Sequence, residues 1–279
     1  MGRGRRLSQH ASAFYEYLRL SGKAEGTAYA YSRIVHRLLE FCGREPREVS
    51  REDVLAFLKH LREDRKCGDR FLSLAGWALR AYFEMLGRGE LAKWIPIPAV
   101  YMQEEPEWLP EEEVLRIVEG NAVLAVAYDL ALRVGEVPLL RRDRYNSDTG
   151  EIEVARLKHK GRPNKYMLVL RPWANELLKD WLRRNPRRDE RIFPMTPRNV
   201  QYIWRKALVR AGYPPGRYTF HVLRHSRLTN IAIEELRTKG YVDIVSLAKF
   251  AGHLRPETTM RYVHLASKYL AFGSGMDRG

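Results

Sequence analysis

Tyrosine, arginine and histidine side chains recur in three short segments of the chain, at residues 132–136, 221–225 and 252–264. A tyrosine hydroxyl can attack phosphorus, and the phosphodiester that it forms conserves bond energy for a later rejoining step. Arginine suits the non-bridging phosphate oxygens, because its planar guanidinium donates two hydrogen bonds and stays charged. Histidine can accept or deliver a proton. The three segments thus contain side-chain types that can transfer a phosphoryl group without a metal ion.

In this order, the three segments resemble the catalytic signature of the tyrosine recombinase family, which includes lambda integrase and the Xer-like and archaeal-type integrases. They read LRVGE at 132–136, HVLRH at 221–225 and GHLRPETTMRYVH at 252–264. The resemblance implies a site-specific integrase or resolvase that cleaves and rejoins DNA strands through a 3′-phosphotyrosine intermediate. It covers nearly the whole chain, since residues 7–92 resemble the family's N-terminal core-binding domain.

The family pattern implies roles for two arginines. Arg133 matches the first arginine and Arg224 matches the second, the one in the His-x-x-Arg pair, so both are expected to hold the scissile phosphate. Glu136 matches the acid that buttresses the first arginine. A lone Arg-x-x-Glu pattern is usually an ion pair on a helix surface, so this assignment depends on the order of all three segments.

The same pattern implies roles for the remaining groups. His221 is expected to accept a proton or to position the phosphate, and His253 matches the next position of the signature. Tyr262 follows His253 by nine residues, the family's spacing, and is the expected nucleophile. The general acid is expected to be a lysine in a β-hairpin turn, either Lys158 or Lys160. We favour Lys160, because the family often has Lys-Gly at this turn.

The charge of the chain favours a polyanionic partner. Basic residues outnumber acidic ones by 15, and both halves of the sequence carry an excess, which is typical of proteins that bind nucleic acid. Double-stranded DNA is therefore the expected partner, and the resemblance implies a homo-oligomer, a tetramer on paired DNA sites. No segment reads as a membrane span or a signal peptide. Cys42 and Cys67 form no metal-ligand pattern, and we expect no cofactor. The two cysteines indicate a reducing compartment, so we expect a cytoplasmic, nucleoid-associated protein.

Hydrophobic periodicity indicates which elements position these groups. Four segments of the first half repeat apolar residues at helical spacing, which predicts a small bundle. The second half mixes helical segments with two predicted strands, Glu151–Val154 and Tyr166–Leu170, each next to a turn. We predict a mainly α fold with a small β-sheet in the C-terminal domain. In family terms this is a core-binding, SAM-like bundle followed by an α+β catalytic domain.

Pro96 and Pro98 mark a break between the halves, because closely spaced prolines forbid regular helix. The predicted domains are 1–93 for DNA binding, 94–106 for a linker and 107–279 for catalysis. Within the last, a helix is expected after Arg133, and Pro138 falls inside it as a departure from the family pattern. Near the C-terminus, three apolar residues are expected to pack on a neighbouring protomer: Tyr269, Leu270 and Phe272.

Two other functions share parts of this pattern. A type IB topoisomerase uses similar chemistry as a monomer to relax supercoiled DNA. A catalytically silent DNA-binding regulator would keep the fold and lose the site. The short segment after Tyr262 favours the recombinase over the topoisomerase, and the intact set of site residues argues against the regulator.

Overall fold

The computed structural model describes residues 7–99, 105–156, 164–186 and 190–273. Over these ranges the chain is mainly helical, and its one sheet has two strands. The predicted fold class is therefore confirmed. The chain divides into two compact units, residues 1–103 and 104–279. None of the helices in the described ranges combines the length and the apolar character that crossing a membrane requires.

The N-terminal unit is a helical bundle around an apolar core. Four helices match the predicted amphipathic segments, and a short fifth one follows them. The helices in its described part are α1 (Gln9–Leu20), α2 (Glu25–Cys42), α3 (Arg51–Glu63), α4 (Asp69–Met85) and α5 (Gly89–Trp94). A capping box fixes the start of α3: Ser50 Oγ accepts a hydrogen bond from the Asp53 N–H, and the Asp53 carboxylate accepts one from the Ser50 N–H. Such reciprocal bonds satisfy backbone donors that the first helical turn leaves without partners.

The first part of the predicted linker packs against this bundle. Ile95 is fully buried, and its carbonyl oxygen accepts two hydrogen bonds from the Arg80 guanidinium, at 3.0 and 2.6 Å. Gly76 on α4 allows this close approach, because a Cβ there would lie 2.7 Å from the Pro96 carbonyl oxygen. The bundle thus holds the chain as far as Pro96. Residues 100–104 lie outside the described part, and the three domain boundaries stay predictions.

The C-terminal unit contains the sheet and seven more helices in its described part. Strand β1 pairs antiparallel with β2, in a register that places Glu151 opposite Val169 and Arg156 opposite Asn164. Its elements are α6 (Glu111–Val118), α7 (Ala122–Asp129), β1 (Glu151–Arg156), β2 (Asn164–Val169), α8 (Pro172–Arg184), α9 (Pro197–Arg210), α10 (His221–Lys239), α11 (Ile244–Ala251) and α12 (Glu257–Phe272).

The expected helix after Arg133 is wrong. Helix α7 ends at Asp129, and Ala131 follows with a φ of 48°, a left-handed conformation that stops helical propagation. Pro138 lies in a short 3₁₀ turn at Val137–Leu139. A proline in an α-helix removes a backbone donor and clashes with the preceding turn, so this sequence forms turns instead. Arg133 consequently projects from a loop.

Two apolar clusters stabilise the C-terminal unit. The larger one is built from α6 to α9 and the start of α10. The smaller one, formed by α10, α11 and α12, includes Leu228, Ala251 and Tyr262. The expected nucleophile is therefore also a core residue, so its position is fixed by packing.

The expectation for the C-terminal segment is partly wrong. Tyr269 packs edge-on against Trp108 of its own chain, with ring centroids 5.1 Å apart. The side chains of Leu270 and Phe272 are 37% and 71% exposed. Helix α12 extends to Phe272, and it packs on α10 and α11. Residues 274–279 lie outside the described part.

Candidate active site

One cleft of the C-terminal unit contains five of the six predicted site residues. Its volume is about 430 Å³, and its lining includes Arg133, His221, Arg224, His253 and Tyr262. These residues come from the loop after α7, from α10, from the α11–α12 connection and from α12. The sixth, Lys160, lies outside the described residues, as does Lys158.

Glu136 fixes the position of Arg133. The Glu136 carboxylate accepts hydrogen bonds from the Arg133 backbone N–H at 2.9 Å and from Nη1 at 2.8 Å. Glu136 is 1% exposed. Burial acts to raise the pKa of this carboxyl group, but Arg156 and Arg133 outweigh burial and hold the pKa below its usual value. Glu136 is thus a buried anion that holds the Arg133 guanidinium at the cleft.

Arg224 is held still more firmly. It is 2% exposed, and its two terminal nitrogens donate to the carbonyl oxygens of Ala131 at 2.6 Å and Ala251 at 2.5 Å. Burial, together with the positive charges of neighbouring arginines, lowers the pKa of Arg224 to about 9, so the side chain remains a cation at neutral pH. The fold thus maintains a positive charge beside the predicted nucleophile.

Two neighbours contact the ring nitrogens of His253. Arg224 Nη2 lies 3.1 Å from His253 Nε2, and arginine can only donate, so Nε2 is the acceptor. His253 Nδ1 lies 2.9 Å from the hydroxyl oxygen of Thr259, which is fully buried. A neutral imidazole with its proton on Nδ1 satisfies both contacts. His253 therefore orients Arg224.

Tyr262 lies between two histidines and is 2% exposed. Its ring is nearly parallel to that of His253, with an interplanar angle of 7° and a centroid distance of 6.1 Å. Its hydroxyl oxygen lies 2.9 Å from Nδ1 of His225. Burial raises the pKa of Tyr262, although three arginines near the hydroxyl act in the opposite direction. This tyrosine therefore needs help to lose its proton.

Comparison with known families agrees with this geometry. Residues 11–92 match the phage integrase N-terminal SAM-like domain, and residues 110–268 match the phage integrase family. The chain belongs to the phage integrase family. The prediction of a tyrosine recombinase from the three sequence segments is confirmed.

Relatives and solved structures extend this assignment. The recombinase is 29% identical to tyrosine recombinase XerA of Thermococcus kodakarensis over 92% of this chain and 91% of the relative. It is 24% identical to tyrosine recombinase XerA of Saccharolobus solfataricus over 91% and 87% of the two chains.

Solved recombinase structures share the fold. A lambda integrase tetramer bound to a Holliday junction matches with a TM-score of 0.68 at 15% identity, covering 94% of this chain and 78% of that one. XerH bound to its palindromic difH substrate matches with a TM-score of 0.66 at 16% identity, covering 93% and 82%. At such identities the likeness shows the fold alone.

Arg156 is a site residue of this recombinase that the sequence analysis missed. It is fully buried at the end of β1 and donates to Glu136 at 2.8 Å, and to the carbonyl oxygen of Phe250 at 2.6 Å. The position of the Arg156 side chain also explains why a glycine precedes His253. Gly252 has a φ of +63°, and a Cβ there would lie 2.7 Å from the Arg156 side chain. The contact of Arg156 with Glu136, 20 residues away in the sequence, reveals that Arg156 supports the site. No local sequence motif indicates this role.

His225 is the second missed residue. It follows His221 by four positions, so the two lie on one face of α10, with ring centroids 5.6 Å apart. Burial and nearby positive charges lower the pKa of His225 to about 4, so its imidazole is neutral at pH 7. The i, i+4 spacing of histidines within HVLRH was the available signal. Of the two, His221 is the exposed one.

Proposed function

We propose that this recombinase cleaves and rejoins double-stranded DNA at specific sites, with Tyr262 as the nucleophile that forms a 3′-phosphotyrosine bond. The observation that carries the proposal is the convergence of Tyr262, Arg133 and Arg224 on one cleft. In the attack, the Tyr262 oxygen bonds to phosphorus and the 5′ oxygen leaves. The reverse attack by a 5′ hydroxyl rejoins the strand.

The two arginines act as the phosphate clamp. Arg133 is held by Glu136 with its guanidinium at the cleft, and Arg224 is held by two carbonyl groups. Groups fixed before the reaction stabilise developing negative charge without reorganising, which is commonly the largest contribution to such catalysis. Glu136 and the carbonyl groups of Ala131 and Ala251 therefore serve the chemistry indirectly, by keeping both cations in place.

In this proposal, a lysine of the segment that joins β1 to β2 in the sequence supplies the proton for the leaving 5′ oxygen. Lys160 is preferred over Lys158 because Gly161 follows it in the sequence. A substrate with sulfur in place of that oxygen tests the choice, since a thiolate leaves without protonation. Such a substrate is expected to rescue Lys160→Ala and not Lys158→Ala. The opposite pattern assigns the role to Lys158.

DNA and further copies of the chain are the proposed partners. The formal charge of +15 favours binding to the DNA backbone, and the solved structures of similar fold include a recombinase tetramer on a Holliday junction. We infer the same assembly here, a tetramer on paired sites. Leu270 and Phe272, both exposed at the end of α12, are candidates for contact with a neighbouring protomer. Such an enzyme works on DNA in the cytoplasm, associated with the nucleoid.

Covalent trapping tests this function. The unsubstituted chain is incubated with fragments of the host genome, and complexes that survive SDS are sequenced to recover the target DNA. Tyr262→Phe is expected to bind the recovered DNA and to form no covalent complex. The matched control is Tyr269→Phe on the same helix, which is expected to cleave normally.

Two results would contradict the proposal. The first is normal trapping by Tyr262→Phe. The second is relaxation of supercoiled DNA that never requires two target sites and never exchanges strands, which indicates a topoisomerase.

A further inference from the structure

The proposed cleavage step requires an acceptor for one proton. Tyr262 must lose its hydroxyl proton as its oxygen bonds to phosphorus, and burial makes this loss harder. The arginines of the cleft are already protonated and can only donate hydrogen bonds. A neutral imidazole within hydrogen-bonding distance of the hydroxyl group is the chemical group that the step needs.

His225 meets this geometric requirement. Its Nδ1 lies 2.9 Å from the Tyr262 hydroxyl oxygen, within the range for proton transfer between heavy atoms. The two rings are tilted by 33°, and their centroids are 5.8 Å apart. Both residues are on helices, α10 and α12, which pack against each other in the smaller apolar cluster. The contact is thus built on rigid elements.

His253 is engaged elsewhere. Its Nε2 accepts from Arg224 and its Nδ1 lies against Thr259, so both ring nitrogens have partners other than the tyrosine hydroxyl. Its ring stacks on the Tyr262 ring, which supports the ring and does not remove the hydroxyl proton.

The surroundings of His225 keep it unprotonated before DNA binds. The charged and titratable groups that face it come from two helices: His221 and Arg224 on α10, and Arg261 and Tyr262 on α12. Burial, together with the positive charges of Arg224 and Arg261, disfavours a further cation. A scissile phosphate bound between the arginines brings negative charge to this cluster, which favours an imidazolium at the time when the proton must move.

We propose that His225 is the general base of strand cleavage, accepting the Tyr262 proton on Nδ1, whereas the family resemblance implies that His221 either accepts a proton or positions the phosphate. The inference rests on the proposed function. In the step, the Tyr262 oxygen–phosphorus bond forms as the phosphorus–5′ oxygen bond breaks. The hydroxyl proton passes to His225 Nδ1, and the leaving 5′ oxygen takes its proton from the general acid. During rejoining the His225 imidazolium returns its proton to the departing Tyr262 oxygen.

The experiment measures single-turnover cleavage of the recovered target DNA by the full chain carrying His225→Asn. The asparagine side chain can place a hydrogen-bonding group near the position of Nδ1 and cannot take up a proton. We expect unchanged DNA binding and a loss of about 10²–10⁴-fold in the rate of covalent complex formation. His264→Asn is the matched control, because His264 is an exposed histidine on the same helix as Tyr262, and it is expected to cleave normally.

A second measurement separates proton transfer from positioning. Fluorotyrosine, incorporated at position 262, has a more acidic phenol and depends less on a base. We expect His225→Asn to lower the rate of covalent complex formation less when position 262 carries fluorotyrosine than when it carries tyrosine. With tyrosine at position 262, we also expect His225→Asn to slow the rejoining of a pre-formed covalent complex. His221→Asn is expected to show no such dependence on the acidity of the phenol. If His225→Asn does not fold, as judged by circular dichroism, His225→Gln replaces it.

Three outcomes overturn the proposal. One is cleavage by both His225 variants at the rate of the unsubstituted chain. Another is an equal loss with tyrosine and fluorotyrosine, which indicates that His225 only positions the ring. The third is transfer of the fluorotyrosine-dependent loss to His221→Asn. In each of these outcomes the unsubstituted chain still forms its covalent complex, so the proposed function stands. Failure of the unsubstituted chain to cleave any DNA overturns both proposals.

Discussion

The two units of this chain bury different kinds of side chain. In the described part of the N-terminal unit, the buried residues are apolar apart from Ser32 and His36. The C-terminal unit also buries charge, including Glu136, Arg156 and Arg224 at 1%, 0% and 2% exposed. Desolvating an ion costs several kcal/mol, which its partners must offset. The bundle is therefore stabilised by apolar packing, whereas the catalytic unit combines apolar packing with buried ions whose desolvation cost their partners must offset.

The largest expected effect comes from breaking the buried charge cluster. Glu136→Gln leaves Arg156 fully buried without a counter-charge, and removing one partner of a buried ion pair typically costs about 3–5 kcal/mol. We expect a loss of that size in the free energy of unfolding, measured by urea denaturation, together with loss of cleavage.

The N-terminal unit provides the control for that change. Glu63 pairs with Lys59 at 3.8 Å, and both side chains are mostly exposed. Glu63→Gln is expected to change the free energy of unfolding by less than about 1 kcal/mol. Equal losses for the two variants would show that burial of the Glu136 cluster does not distinguish the units.

The next effect concerns the two arginines. Arg133→Ala and Arg224→Ala are each expected to lower the cleavage rate by about 10²–10³-fold, the usual cost of removing one preorganised donor. DNA binding is expected to change little, because the net charge of +15 provides many other basic side chains for the DNA backbone. Arg237→Ala is the control, because Arg237 is an exposed arginine on α10. Parallel losses of binding and of rate would point to a structural role for the two arginines.

The sequence predicted the bundle better than the connections around the site. Apolar residues at helical spacing located α1 to α4, because burial of one face decides such helices. The order of Arg133, Arg224 and Tyr262 identified the family, since each residue type is demanded by the reaction. Spacing alone could not show that Arg133 lies in a loop, where the left-handed Ala131 and Pro138 end the helix.

The contacts that hold the site were hidden for a different reason. Arg156 and Glu136 are 20 residues apart in sequence and meet only in the folded core. His225 precedes Tyr262 by 37 residues, so their hydrogen bond depends on how α10 packs against α12. Such long-range pairs leave no periodic pattern in one sequence, and only the three-dimensional structure brings them together.

A smaller effect is expected in the apolar unit. Ser50→Ala removes the capping box of α3 and is expected to lower the free energy of unfolding by about 1 kcal/mol. The rate of the chemical step on bound DNA is expected to stay unchanged, since the change lies in the other unit. Ser12→Ala, at an exposed position within α1, is the control and should be nearly neutral. A loss of covalent complex formation on saturating DNA would break the division between the two units.

A separate effect is a difference in pH dependence. Folding lowers the pKa of His225 from 6.5 to about 4, so below pH 6.5 the unfolded chain binds the proton more readily than the folded chain. Stability from this group is therefore lost as the pH falls from 6.5 towards 4. Between about pH 7 and about pH 4.5, the free energy of unfolding is expected to fall less for His225→Asn than for the unsubstituted chain. Identical pH profiles for the variant and the unsubstituted chain would mean that His225 is not held neutral by its surroundings.

Mass spectrometry of the trapped complex tests most directly whether Tyr262 becomes covalently bonded to DNA. Trypsin cuts after Arg261 and Lys268 and releases the peptide 262–268, which contains a single tyrosine. After nuclease digestion, a 3′-linked nucleotide is expected on this peptide, bonded to the Tyr262 oxygen. A nucleotide bonded to any other peptide, or attached through a 5′ phosphate, would contradict the account.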